Sequence, residues 1–258
     1  MITAVSNQRV KNLVNLIQKS KARREQDVFI TEGVKMFLEA DKDRIKEVYV
    51  SESFYKKGMA GEKLEQCDYE ILSDEVFKKV SDTQTPQGVL CVMKQYHYVL
   101  EDLLQKENPL LLILEDIQDP GNLGTMVRTA EGAGVDGVIM TKGTVDIYNP
   151  KTIRSTMGSV YRMPFFYTED LLGVMKRLQE ANVKLYAAHL KGNRFYHQLD
   201  FKGGTAFLIG NEGNGLKEET ADAADVYMKI PMEGKVESLN AAVASVILMY
   251  EAARQRMN

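Results

Sequence analysis

Phe207–Asn240 reads FLIGNEGNGLKEETADAADVYMKIPMEGKVESLN. Phe207–Ile209 is a short apolar run closed by Gly210-Asn-Glu-Gly-Asn-Gly215. That is the pattern of a buried strand running into a loop. Val226–Ile230 repeats it, closed by Pro231-Met-Glu-Gly234. After Ser238-Leu-Asn240 comes AAVASVILMY, too long for a strand and rich in helix formers. Ser238 or Asn240 is placed to cap that helix. Two strand ends and a helix start therefore converge, and their loops carry Gly, Asn, Glu and Ser. In open α/β sheets such loops, beyond the carboxyl ends of the strands, are where ligands bind.

A third element of the same kind lies upstream. Leu110–Leu114 (LLLIL) is a strand, and EDIQDPGNLG follows it as Glu115–Gly124. A helix is expected over Thr125–Gly132, carrying Arg128. Asn122 and Arg128 would then sit across the start of that helix. One Gly-rich loop alone only turns a chain; three in this arrangement point to a site.

The remaining pattern is that of alternating strands and helices. Helices are expected over Ser6–Lys19 (capped by Ser6 or Asn7), Glu32–Ala40, Glu52–Lys57 and Asp74–Val80. Strands are expected over Val28–Thr31, Ile45–Ser51, Tyr69–Leu72 and the stretch from Pro86 to Met93. Residues 1–93 thus form a small α/β domain. Residues 94–108 are polar with a short helical piece and read as a linker. Residues 109–258 hold strands at Leu110–Leu114, Gly137–Met140, Lys184–Ala188, Ala206–Ile209 and Val226–Ile230. Their helices are Thr125–Gly132, Thr152–Met157, Glu169–Ala181, Leu216–Ala221 and Leu239–Arg256. A mostly parallel, helix-covered sheet follows from that alternation.

Composition narrows the classes. The chain has 258 residues, 44% hydrophobic and 27% charged, the balance of a soluble globular protein. No stretch approaches the roughly 20 uninterrupted apolar residues of a membrane span. The opening MITAVSNQRVKN lacks the form of a secretory signal. Two cysteines, Cys67 and Cys91, make no disulfide framework and suit a reducing cytoplasm. His97, His189 and His197 have no metal-ligand spacing, so no metal is expected. A net charge of −3 weighs against nucleic-acid binding. The first 24 residues, however, hold Arg9, Lys11, Lys19, Lys21, Arg23 and Arg24 and no acid. Such a run is either a solvated helix end or a phosphate contact.

Gly132-Ala-Gly-Val-Asp-Gly137 matches G-x-G-x-x-G, but in reversed context. A nucleotide fingerprint needs the strand before and the helix after; here the helix comes first, so these glycines end it. P-loop, nucleophile-elbow and zincin signatures are absent from the sequence. What remains is Asn122, Gly124, Arg128, Asn211, Glu212, Gly213, Ser238 and Asn240: amides, one carboxylate, one hydroxyl and one fixed cation. This set suits holding a polar cofactor and an anionic substrate better than hydrolysis.

The three blocks DPGNLGTMVRTAEGAG (119–134), LIGNEGNGL (208–216) and IPMEGKVESLNAAVA (230–244) resemble, in sequence, order and spacing, the motifs of the SpoU (TrmH) family. These are S-adenosylmethionine-dependent RNA ribose 2′-O-methyltransferases of the SPOUT superfamily. The resemblance covers residues 110–256. Residues 1–93, with Pro86-Gln-Gly88 before the last strand, are similar to the family's substrate-binding domain, itself like ribosomal protein L30e. The resemblance implies a C-terminal SPOUT α/β sheet with a trefoil knot, a smaller N-terminal L30e-like domain, and a homodimer. It implies a cytoplasmic RNA-binding enzyme that methylates ribosomal RNA ahead of transfer RNA. It assigns Asn122, Arg128, Glu212, Ser238 and Asn240 to catalysis or substrate positioning. It assigns Ala188, Leu208, Ile209, Gly210, Asn211, Gly213, Ile230, Met232, Ser238 and Leu239 to the cofactor.

Within that reading Arg128 is a cation for phosphate and developing alkoxide. A guanidinium titrates above ~12, which makes it a costly general base. Two other readings compete: a non-catalytic RNA-binding module built on the first domain, and a Rossmann-type nucleotide enzyme. Intact Asn122, Arg128 and Asn240 count against the first, and the reversed glycines against the second.

Overall fold

The structure is a computed structural model and describes residues 1–58 and 61–257. Contacts divide it into two compact units, residues 1–96 with 146–161 and residues 97–145 with 162–258.

The first unit holds β1 (Val28–Glu32), β2 (Ile45–Ser51), β3 (Tyr69–Leu72) and β4 (Val89–Lys94), in the order β1-β4-β2-β3. β4 runs antiparallel to both its neighbours, and β2 pairs β3 in parallel. Helix Gln8–Gln18 is capped by Asn7, whose Oδ1 accepts the Arg9 N–H at 2.9 Å. Its Val10, Leu13 and Leu16 pack on Ile30, Tyr49, Leu72 and Leu90 of the sheet. Gly88 precedes β4 with φ +88°, and a Cβ there would stand 2.6 Å from Phe54 Cβ. Both the backbone angle and the space require glycine. The sequence pattern did not reveal helices Ser20–Gln26 and Gly61–Glu65.

The basic run near the N-terminus is only partly a free surface. Arg23 is 3% exposed, and its guanidinium meets Asp146 at 2.6 Å. It also donates to the carbonyls of Leu16 and Ile17, at 2.8 and 3.1 Å, near the end of helix Gln8–Gln18. Those carbonyls lack helical partners and carry the negative end of the helix dipole. Arg9 pairs with Glu70. Lys11, Lys19, Lys21 and Arg24 remain exposed. Arg23→Ala is expected to lower stability by about 3 kcal/mol, because it removes the buried partner of a half-buried pair and strands two carbonyls. The urea midpoint reads this directly; an unchanged midpoint would mean that water replaces the guanidinium without loss.

The second unit is one sheet of β5 (Leu110–Leu114), β6 (Gly137–Thr141), β7 (Phe165–Thr168), β8 (Lys184–Ala188), β9 (Arg194–Phe195), β10 (Thr205–Ile209) and β11 (Val226–Lys229). The order is β7-β6-β5-β10-β8-β11-β9, and every pairing is parallel. β5 and β10 lie side by side with every residue buried, as strands covered on both faces must. Leu111, Ile113, Leu185 and Leu208 join Val174 and Leu178 of helix Leu171–Glu180 in one core. Leu100 and Leu103, from the stretch read as a linker, are buried in the same core. Strands β7 and β9 were not expected; both are short and lie at the sheet edges.

One boundary shifts in a way that matters. The helix expected from Thr125 begins at Pro120 and runs to Gly132. Asp119 caps it, its Oδ1 accepting the Asn122 N–H at 2.8 Å, and Pro120 takes the first helical position. Proline loses nothing there, because that N–H has no helical partner. The glycines after it behave as the sequence predicts: the helix ends at Gly132, and Gly134 has φ +74°.

Candidate active site

Strands on one side of β5 continue through β6 and β7, while β8, β11 and β9 lie beyond β10. The boundary between β5 and β10 is therefore the point where the winding of the sheet reverses. A crevice opens at the carboxyl ends of the strands at such a point. The segments leaving there are 115–119 after β5 and 210–217 after β10.

The 210–217 loop is tightly closed. Gly215 N–H donates to Asn211 O at 2.9 Å. Asn211 Oδ1 accepts from Gly213 and Asn214 N–H at 2.9 and 3.0 Å, and its Nδ2 donates to Asp116 O at 2.8 Å. At Gly210 an added Cβ would stand 2.1 Å from Gly215 C and Leu216 N. Those neighbours are backbone and have little room to move.

At the tip, Glu212 accepts hydrogen bonds from Gln118 N–H, Asp119 N–H and Asn122 Nδ2, each at 3.0 Å. Asn122 Oδ1 in turn accepts from Asn240 Nδ2 at 3.2 Å. Asn240 caps the last helix, Ala241–Arg256, its Oδ1 taking the N–H groups of Ala242 and Val243. Asn122, Glu212 and Asn240, one from each sequence block, thus meet in one junction. Partial burial alone would raise the Glu212 carboxyl, but the three donors outweigh it and hold the group below its ordinary 4.5. Its charge stabilises the loop fully above that value and is lost only as pH falls through the lowered one.

Other predicted residues stand apart from the junction. Arg128 lies six positions beyond Asn122 in the same helix, about 9 Å further along and about a third of a turn round it. The pair does not face across the helix start, because the helix begins earlier than its sequence suggests. The Arg128 side chain is exposed and makes no hydrogen bond or ion pair among the described residues. Ser238 is likewise exposed. Leu208 and Ile209 are buried, so at the crevice they offer backbone rather than side chain. Ala188, Ile230, Met232 and Leu239 are half-buried at or after the ends of β8 and β11. An open cavity of about 420 Å³, lined by His197, Asp200, Lys202 and Arg254 among others, includes none of the junction residues.

The loop set suits an organic cofactor with apolar parts. Half-buried Ile230, Met232 and Leu239 and exposed Leu190 and Val236 lie on the segments leaving β8 and β11. Among the described residues no three His, Cys, Asp or Glu side chains are grouped to hold a metal. Sequence reasoning gave no role to Glu115, Asp116 or Lys217. The two acids directly follow the LLLIL strand, but only the fold shows what they hold.

A parallel sheet with a carboxylate–amide junction at its reversal point, flanked by apolar loops, is the framework of a cofactor-dependent α/β enzyme. Comparison with known proteins narrows this. Residues 109–250 match the SpoU rRNA Methylase family, and residues 7–91 match the MRM3-like substrate binding domain. The chain belongs to the SpoU rRNA methylase family. It is 35% identical to the 23S rRNA (guanosine(2553)-2′-O)-methyltransferase RlmP of Bacillus subtilis, over 96% of this chain and 97% of that one. The AdoMet-bound rRNA methyltransferase of Sinorhizobium meliloti superposes with a TM-score of 0.86 at 32% identity, covering 98% and 97%. The SpoU methyltransferase AviRb of Streptomyces viridochromogenes, in complex with AdoMet, gives 0.90 at 26% identity, covering 98% and 99%.

Proposed function

We propose that this chain transfers a methyl group from S-adenosylmethionine to a ribose 2′-hydroxyl of ribosomal RNA. The observation that carries the reading is the Asn122–Glu212–Asn240 junction, which draws the three family blocks to the reversal point of the sheet. The names of the relatives, rRNA methyltransferases and AdoMet-bound structures, support the substrate and the cofactor.

S-adenosylmethionine, when bound, supplies a methyl group already activated on sulfonium. The loops after Ala188, Ile209 and Ile230 hold it, with apolar side chains for its uncharged parts. Asn122 and Asn240 fix polar groups at the crevice, and Glu212 keeps both loops in register. Arg128 is the cation for the RNA phosphate and the developing alkoxide; it presents a planar fork to oxyanions. Ser238 contributes a hydroxyl from the third block.

Four further parts belong to this reading. Residues 1–93 select the RNA, supported by the substrate-binding family match and by exposed Lys11, Lys19, Lys21 and Arg24. The protein acts as a homodimer, supported by the last helix: Val243 and Tyr250, two large side chains on it, are 48% and 49% exposed. The C-terminal region forms the trefoil knot, and the enzyme works in the cytoplasm, where Cys67 and Cys91 stay as free thiols.

Mapping of 2′-O-methyl groups on ribosomal RNA tests the central claim. A strain lacking the gene is expected to miss one such methylation, restored by the intact chain and not by Arg128→Ala. An unchanged methylation pattern on ribosomal RNA would reject the proposed substrate. Failure of the purified chain to bind S-adenosylmethionine in calorimetry would reject the enzyme.

A further inference from the structure

Glu115 follows β5 and is 2% exposed. Its backbone N–H donates to Ile209 O at 2.9 Å, where the 210–217 loop leaves the sheet. Its side chain reaches the other end of that loop. Oε2 accepts the Lys217 N–H at 2.8 Å, and Oε1 accepts the Thr220 hydroxyl at 2.6 Å. One residue thus grips both ends of the loop whose tip carries Glu212. Asp116 adds a second grip: its carbonyl takes Asn211 Nδ2, and its carboxylate takes Lys217 Nζ at 2.9 Å. Helix Glu218–Asp222 has no side-chain cap of its own, and the Glu115 carboxylate anchors its start from another strand.

We infer that Glu115 is a positioning residue for methyl transfer, acting through the 210–217 loop on Glu212 and the cofactor. The inference rests on the methyltransferase reading above. Its physical basis is the number of donors that converge on one buried carboxylate. With Ala at 115 the Lys217 N–H and Thr220 hydroxyl lose their acceptor, and at its far end the loop keeps the Asp116–Lys217 pair. Gln is different. Its carbonyl oxygen still accepts from Lys217, and its NH₂ can donate to Thr220 Oγ1, since a hydroxyl also accepts. Asp keeps the charge but is one methylene short. The series therefore separates geometry from charge: the clamp requires reach and hydrogen bonds, and Gln serves better than Asp.

The test measures S-adenosylmethionine affinity by calorimetry, the kcat and KM of RNA methylation, and amide hydrogen exchange of residues 211–217 without cofactor. All are taken on the full chain, well below its melting temperature. Glu115→Ala is expected to weaken cofactor affinity about tenfold or more, as the loss of a hydrogen bond to a charged acceptor implies. Its kcat falls, its KM for RNA stays near that of the parent, and the Gly215 and Lys217 amides exchange faster. Glu115→Gln recovers most of each loss, and Glu115→Asp does not. A purely structural role would lower the melting temperature and leave affinity, kcat and loop exchange unchanged at low temperature; that result overturns the inference. If Glu115→Ala fails to fold, Thr220→Val removes one donor alone and is expected to show the same changes, smaller; no change overturns the inference too. If the unmodified chain binds no S-adenosylmethionine, the methyltransferase reading fails on its own. Loop exchange then still decides the clamp: unchanged protection in Glu115→Ala rejects it.

Discussion

Arg128→Ala lowers kcat for RNA methylation about 10²–10³-fold, the usual effect of removing one preorganised group that stabilises developing charge. Cofactor affinity stays within about twofold, because Arg128 is apart from the 210–217 loop and exposed. The lysine variant discriminates between roles. Lysine keeps the charge and loses the planar fork, so Arg128→Lys retains weak activity. An ammonium also loses its proton far more readily than a guanidinium. If position 128 took the proton from the 2′-hydroxyl, the lysine variant would recover at high pH with a new rate-limiting ionisation. The pH profile of Arg128→Lys is expected to show none. Its appearance would assign the residue as the base, and full activity in Arg128→Ala would take it out of the reaction.

Gly210→Val abolishes detectable S-adenosylmethionine binding in calorimetry while the chain stays folded. The reason is space rather than backbone angle. Even a Cβ would lie 2.1 Å from Gly215 C and Leu216 N, so the neck of the loop must open. Opening it breaks the Asn211–Gly215 pairing and moves Glu212 away from Asn122. Overpacking of this kind costs about 1–3 kcal/mol, less than a domain of this size holds. The last helix packs on helix Pro120–Gly132 and on β10, so the homodimer proposed through that helix is expected to survive. Gly210→Ala gives the same loss in milder form. Unchanged affinity in folded Gly210→Val would place the pocket at another set of loops.

The sheet of the second unit was legible because its inner strands are unbroken apolar runs closed by turn residues, LLLIL and AFLI above all. The junction was legible because Asn122, Glu212 and Asn240 fall in stretches of turn-like composition that follow apolar runs, although Asn122 proves to be helical. What stayed hidden has physical causes. Pro120-Gly121 has turn composition, yet Asp119 and Pro120 make a good helix start, and local sequence does not choose between the two. Phe165–Thr168 is four residues long at an edge, too short to show a period. Arg23 looks like its basic neighbours in sequence; only the fold reveals that it is buried against Asp146. Glu115 looks like one more loop residue in sequence, since the donors it collects lie about a hundred positions away.

Arg23 and Asp146 are 123 residues apart in the chain, and residues 146–161 complete the unit to which Arg23 belongs. During synthesis the N-terminal segment emerges first, with an arginine side chain lacking its carboxylate. At about 5–20 residues per second the ribosome takes on the order of ten seconds to deliver Asp146. For that interval the N-terminal sheet is a nascent intermediate with a half-made interior. Its last step waits on translation rather than on conformational search. A stop codon between positions 96 and 146 would therefore release an incomplete fold, and a pause there would prolong it on the ribosome.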